Sequence, residues 1–163
     1  MRHRRCRSRV EAAPVARRRA TRTVARLLDA KGHDAWSIAS GATVYDAIRL
    51  MAEKGVGAIL VMDGSELVGI VSERDYARKV ALQDRSSRNT LVRDIMTPDV
   101  ISVRPDRSVE YCMELMTDRR IRHLPVVEDG DVVGIVSIGD LVKSTLAEKE
   151  REIEHLENYI TGR

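Results

Sequence analysis

The sequence predicts an α/β (α+β) protein made of two tandem β-α-β-β-α repeats packed about a pseudo-twofold axis, with a C-terminal helix and a disordered N-terminal tail. Three observations predict it. Residues 43–78 fall on residues 108–143 without a gap, so one unit has been duplicated. Each copy passes from helical spacing of apolar residues to two short β-rich runs joined by a polar turn. The 43% hydrophobic content, with aromatics at 3% and no Phe, supports an aliphatic core.

The two copies match element by element. Thr43-Val44 falls on Ser108-Val109, Leu50-Met51 on Leu115-Met116, Gly69-Ile70-Val71-Ser72 on Gly134-Ile135-Val136-Ser137, and Asp75 on Asp140. With two extra residues near Gly32, the likeness extends upstream to Thr23 on Thr90, Arg26 on Arg93 and Ser37-Ile38 on Ser102-Val103. A short strand near Ile38 or Val103 opens each unit. Thr43 and Ser108 are N-caps, followed by Val44, Ala47, Ile48 and Met51, or by Val109, Cys112, Met113 and Met116, on one helix face. Ala58 to Met62 and Leu124 to Val127 read as strands. The turns Asp63-Gly64-Ser65 and Glu128-Asp129-Gly130-Asp131 lead each into a second strand, Leu67 to Val71 or Val132 to Val136. A helix then starts at Ser72 or Ser137. Neither unit alone offers a sufficient core, so the two sheets are expected to pair, with the polar stretch 82–90 as a flexible connector. The resulting organisation is an Arg-rich tail at 1–22, repeat one at 23–89, repeat two at 90–143, and an amphipathic helix at 144–163.

Charge is divided unevenly. Residues 1–22 hold nine Arg against the single acid Glu11, so the formal charge of +3 conceals an acidic body. An acidic body repels a nucleic-acid backbone, which leaves only the tail for such a role and makes nucleic acid an unlikely partner. The tail reads as a disordered extension, with a phosphate-seeking arm or an Arg-rich transit segment as alternatives. No secretory signal and no run of 18 apolar residues is present, so no membrane span is expected, and the chain reads as cytoplasmic. Cys6 and Cys112 make no metal spacing, and His3, His33, His123 and His155 are scattered. No activated nucleophile or P-loop is found; no metal and no enzyme activity are expected.

The chemistry concentrates in Gly-apolar-apolar-Ser-x-x-Asp, at 69–75 and 134–140. Glycine lets a ligand or another backbone come close. Ser72 and Ser137 stand where strand gives way to helix, so their hydroxyls and the helix N–H groups can donate to a phosphate. Asp75 and Asp140 would repel a phosphate, but two neighbouring ribose hydroxyls match a carboxylate's acceptors. The same spacing is also an ordinary helix N-terminus. Arg74 lies inside the first motif, where the second has Ile138-Gly139, and Arg119, Arg120, Arg122 and His123 flank the second repeat's strand. This cationic set is suited to a di- or triphosphate, although Arg119 and Arg120 read as a solvated helix end. Ile38 and Val103, with Ile59 and Leu124, are candidate adenine walls or plain core; Trp36 is a candidate stacking surface.

Three stretches carry a family resemblance: Asp94-Ile95-Met96-Thr97, Arg120-Ile121-Arg122-His123-Leu124-Pro125-Val126-Val127, and Gly134-Ile135-Val136-Ser137-Ile138-Gly139-Asp140. Across roughly 23–143 the chain resembles a tandem pair of cystathionine-β-synthase-type (CBS) domains, a Bateman module, of the stand-alone bacterial type. The resemblance implies an adenosyl ligand in clefts between the repeats, commonly AMP, ADP or ATP, sometimes NAD(H) or S-adenosylmethionine. It implies phosphate-facing positions at Arg122 and His123, and dimerisation of the pair into a flat disc. The C-terminal stretch from Leu141 reads as one long helix whose stripe Leu146, Ile153, Leu156 and Ile160 packs on a partner helix or back on its own domain. The functional expectation is a nucleotide-sensing homodimer that signals in trans to an effector protein. The alternatives are a structural dimer without ligand, and a nucleic-acid binder using the tail.

Overall fold

The computed structural model describes Arg9–Val10 and residues 22–162. The element order is β1 (Arg9–Val10), α1 (Val24–Lys31), β2 (Ser37–Ile38), α2 (Val44–Lys54), β3 (Ala58–Asp63), β4 (Glu66–Ser72) and α3 (Glu73–Lys79). After 3-10 turns at Ala81–Gln83 and Val92–Asp94 come β5 (Ile101–Ser102), α4 (Val109–Arg119), β6 (His123–Glu128), β7 (Asp131–Ser137) and α5 (Ile138–Thr161). The duplicated β-α-β-β-α unit is present twice, and the turns the sequence marked as hairpins join β3 to β4 and β6 to β7 antiparallel. Each short opening strand runs parallel to the first hairpin strand: Ile38 registers with Val61, and Val103 bridges to Val126. The helix caps form as expected, with Thr43 and Ser108 accepting from the N–H groups of Asp46 and Tyr111.

The two cores cross the boundary drawn at residue 90. Val24, Leu27 and Leu28 of α1 pack with Val109, Met116, Leu124, Val136 and Leu141, inside the second repeat. Reciprocally, Val92 and Ile95 pack with Val44, Met51, Ile59 and Val71, inside the first. Each repeat is thus completed by the segment that precedes the other in sequence. Backbone pairing fixes the exchange: Val24 N–H donates to the Arg107 carbonyl at 2.8 Å, and Ile70 and Thr97 exchange a pair of hydrogen bonds at 3.0 and 2.8 Å. The glycines of the repeated motif serve this crossing. A Cβ on Gly69 would meet the Met96 side chain and the Thr97 carbonyl, and one on Gly134 would meet Leu28. Protein, rather than ligand, fills the space that glycine leaves.

The connector is exposed along most of its length and is tied to the first repeat near its end. The carbonyls of Ser87 and Thr90 accept from Tyr45 and Val44 at the start of α2, and Arg88 lies 3.9 Å from the Tyr45 ring. Most of the N-terminal tail lies outside the described residues. Its last residue, Arg22, belongs to the body: its guanidinium binds Ser144 at 2.7 Å and Glu148 at 2.8 Å on α5. The C-terminal helix is one piece with the helix entered at Ser137, so no boundary falls at 144. From Lys149 to its end it is exposed, and Leu146, Ile153, Leu156 and Ile160 are uncovered within one chain.

Candidate functional site

Both Ser-x-x-Asp motifs form reciprocal capping boxes. At α3, Asp75 Oδ2 accepts from the Ser72 N–H at 3.0 Å and from the Ser72 hydroxyl at 2.8 Å, while the Asp75 N–H donates to Ser72 Oγ. The Glu73 N–H donates to the Gly57 carbonyl at 3.0 Å. At α5, Asp140 Oδ2 accepts from the Ser137 N–H at 2.8 Å, and the Ile138 N–H donates to the Arg122 carbonyl. The helix-terminus reading of the motif is therefore realised at both places. The Ser72 hydroxyl and these N–H groups are committed to partners within the protein.

A cavity of about 450 Å³ nevertheless opens beside the first of these boxes, between the repeats. That volume suits a drug-sized or nucleotide-sized ligand. The first repeat contributes Gly57, Ala58, Ile70 and the stretch Ser72 to Asp75; the segment joining the repeats contributes Thr97, Asp99, Val100 and Ile101; the second repeat contributes Arg120 to His123. Among the expected site residues, Ser72, Arg74, Asp75, Arg122 and His123 are thus brought together. Ser137 and Asp140 do not line this cavity. Ile38, partly buried, packs against the first core and Val103 is buried in the second; neither lines this cavity. Ala58, Ile70, Ile101 and Ile121 are the apolar lining instead. Trp36 lies elsewhere, its ring under Lys54 at 4.0 Å.

Charge across the cavity is arranged in layers. Asp75 is paired through Oδ1 with Lys79 at 2.8 Å, one turn along the same helix. Arg74 reaches across the opening, and its Nη1 donates to the Arg120 carbonyl at 3.2 Å. His123 is half-buried behind them. Burial pushes its imidazole below the ordinary value, Asp140 opposes this, and Arg122, Arg74 and Lys31 lower it further. Gly57 is the close neighbour of this ring: a Cβ there would lie 3.8 Å from His123 Cε1 and 3.3 Å from Glu73 Oε2. The second entrance differs. Asp140 pairs with Lys31 of α1 at 3.1 Å; burial pushes its carboxyl up, but the Ser137 N–H and Lys31 outweigh that and hold it below its ordinary value.

Sequence reasoning set Arg120 aside as a solvated helix end, used Thr97 only as part of the family resemblance, and passed over Asp99 and Ile101. Arg120 was readable. It falls on Gly55 in the repeat, and both residues close their helices in the left-handed region, at φ 53 and 65. An arginine where the fold favours glycine costs on the order of 1 kcal/mol of backbone strain, which is a signal of another role. Asp99 and Ile101 gave no signal, and nothing marked Thr97 as cleft-lining, because the crossing that places them in the cleft is not written in their spacing. Among the described residues no cluster of His, Cys, Asp and Glu could hold a metal ion, and no helix is long and apolar enough to cross a membrane.

Comparison with known proteins gives one answer. The CBS-domain family model matches residues 31–82 and 92–146. The CBS domain-containing protein CBSX3, mitochondrial, of Arabidopsis thaliana is 47% identical over 74% of this chain, which spans 61% of that relative's length. The protein YhcV of Bacillus subtilis is 33% identical over 68% of this chain and 79% of its own. Among solved structures, a protein with CBS domains from Burkholderia ambifaria is 54% identical, with a TM-score of 0.76 over 77% of this chain and 95% of that one. The CBS domain pair of protein MJ0100, solved with 5′-methylthioadenosine and S-adenosyl-L-methionine, is 25% identical, with a TM-score of 0.70 over 78% of this chain and 98% of that one.

Proposed function

The chain belongs to the CBS-domain family, and from that premise we propose that it is a regulatory module that binds an adenine nucleotide in the cleft between its repeats. The observation that carries this reading is the cavity itself, lined by apolar residues, by the helix-entrance carboxylate Asp75 and by Arg74, Arg120, Arg122 and His123. The base lies against Ala58, Ile70, Ile101 and Ile121. Asp75 meets the ribose through Oδ1, which keeps an acceptor site beyond its bond to Lys79, while Oδ2 is filled by the N–H and hydroxyl of Ser72. The phosphates face Arg74, Arg122 and His123. The adenosyl ligands in the MJ0100 structure support the ligand class.

The module acts by binding rather than catalysis and needs no metal. Differential affinity of the ligand for two arrangements of the repeats is the switch, read in trans by an effector protein in the cytoplasm. The bare stripe of α5, which nothing covers within one chain, favours a homodimer as the signalling unit. Titration calorimetry of the full chain with AMP, ADP, ATP, NADH and S-adenosylmethionine tests the reading. At least one compound is expected to bind and to raise the melting temperature. If none does, the cleft is not a sensor and the protein is a structural dimerisation module.

A further inference from the structure

Arg74 and Arg120 are held differently from the rest of the cleft's cations. Arg120 closes α4 in the left-handed region, a conformation its equivalent Gly55 adopts without strain, and it is among the residues that line the cavity. Arg74 comes from the opposite repeat, where its equivalent is Gly139, and it hydrogen-bonds the Arg120 backbone across the opening. At each of these two positions the other repeat has glycine. The helix-entrance groups of Ser72, Glu73 and Asp75 already donate inside the protein, so recognition of a phosphate falls to side-chain cations. Against Glu73, Asp75 and Asp99, the cavity sets Arg74, Arg120 and Arg122, and Asp75 is already neutralised by Lys79.

We propose that Arg74 and Arg120 determine the phosphate number that this cleft accepts, selecting nucleoside di- and triphosphates over monophosphates and over adenosyl compounds without phosphate. The inference rests on the nucleotide reading and adds its charge class. With Arg122 and His123 facing the first phosphate, the terminal phosphates extend to the opening, where Arg74 meets the backbone of Arg120. There the Arg74 Nη1 exchanges the Arg120 carbonyl, a neutral acceptor, for a charged one. Binding therefore breaks a hydrogen bond between the two repeats, which links phosphate number to their arrangement.

The test is titration calorimetry of the full chain with AMP, ADP, ATP and 5′-methylthioadenosine at matched ionic strength. ATP is expected to bind at least about tenfold more tightly than AMP, the effect of one further charge-assisted hydrogen bond. Arg74→Gln and Arg120→Gly are each expected to collapse that ratio, and Arg120→Lys to retain part of it. Arg120→Gly also removes the left-handed strain, so its melting temperature is expected to rise while its selectivity falls; a merely structural arginine would not separate the two. Equal affinity for all four compounds, or an ATP-to-AMP ratio unchanged in both Arg74→Gln and Arg120→Gly, overturns this inference and leaves the nucleotide reading standing. Absence of any binding overturns both.

Discussion

The entrance of α3 and the entrance of α5 carry the same capping box, yet their surroundings differ. Asp75 finds its cation, Lys79, on its own helix, and a cavity lies beside it. Asp140 finds Lys31, delivered by α1 from before the first repeat. Beside the first entrance stands Arg74; at the second the same position is Gly139. The difference teaches that a duplicated motif does not bring duplicated surroundings. The cap is local and repeats with the sequence, whereas the chemistry around it depends on which segment crosses over. In the first repeat the crossing segment brings Thr97, Asp99 and Ile101 to the cleft, and in the second it brings a lysine to the carboxylate.

The largest effects are expected where the crossing segments meet their strands. A Cβ on Gly69 would lie 2.5 Å from Met96 Sδ and 3.1 Å from the Thr97 carbonyl, which the Ile70 pairing holds in place. On Gly134 it would lie 2.8 Å from a Leu28 methyl, a side chain that can turn aside. Gly69→Ala is therefore expected to cost about 3 kcal/mol and Gly134→Ala about 1 kcal/mol, in the range of core overpacking. Urea denaturation measures both. If Gly69→Ala were the milder of the two, the backbone of the joining segment would not be the rigid partner described above.

Next in size is the ligand affinity that separates the two carboxylates. Asp75→Asn is expected to weaken nucleotide binding roughly tenfold, the worth of a charge-assisted hydrogen bond to ribose. Asp140→Asn is expected to change it less than about twofold, because Asp140 does not line the cavity and acts on it only through His123. Both variants weaken a capping box, so both should lose about 1 kcal/mol of stability. Stability thus serves as the internal control. Equal losses of affinity would mean that both entrances hold ligand, and the contrast drawn between them would fail.

What could be read from the sequence was whatever repeats locally. The caps at Thr43, Ser72, Ser108 and Ser137, the hairpins and the helix faces all rest on spacings of a few residues, and all are present. The exchange of α1 and the 92–95 segment was hidden, because Val24, Leu27 and Leu28 show an apolar helix face without showing which core it enters. For the same reason Ile38 and Val103 looked like ligand walls. They occupy the edge of each sheet, where only the tertiary arrangement decides between core and cleft. The stretch 82–90 looked loose because polar residues mark a connector. Its backbone carbonyls, which composition does not describe, tie it to α2. Half of the cleft was legible, the half written in the motif and in Arg122 and His123; the facing half comes from the segment between the repeats.

The smallest effect concerns His123, which stands between the two entrances and feels both. Burial, then Arg122, Arg74 and Lys31, lower its imidazole below 6.5, against the pull of Asp140. The unfolded chain takes up a proton near 6.5 while the folded chain resists it. The sign is therefore that of a disfavoured cation: stability falls as pH drops from about 6.5 through the lowered folded value, and is unaffected by this group above 6.5. His33 has the opposite sign. The Val133 carbonyl and Asp29 raise its imidazole, so its contribution is present below 6.5 and fades as pH rises through the folded value. Comparing wild type with His123→Gln separates the two, and the variant is expected to be less acid-sensitive in melting experiments between pH 5 and 7. A nucleotide phosphate in the cleft is expected to reverse the balance at His123 by adding an anion beside Arg122 and Arg74. Binding is then accompanied by proton uptake, seen as a calorimetric enthalpy that depends on the ionisation heat of the buffer. That dependence should vanish in His123→Gln. If the wild-type enthalpy is the same in MES and Bis-Tris buffers below pH 6.5, His123 does not face the ligand, and the first entrance is recognised by its arginines alone.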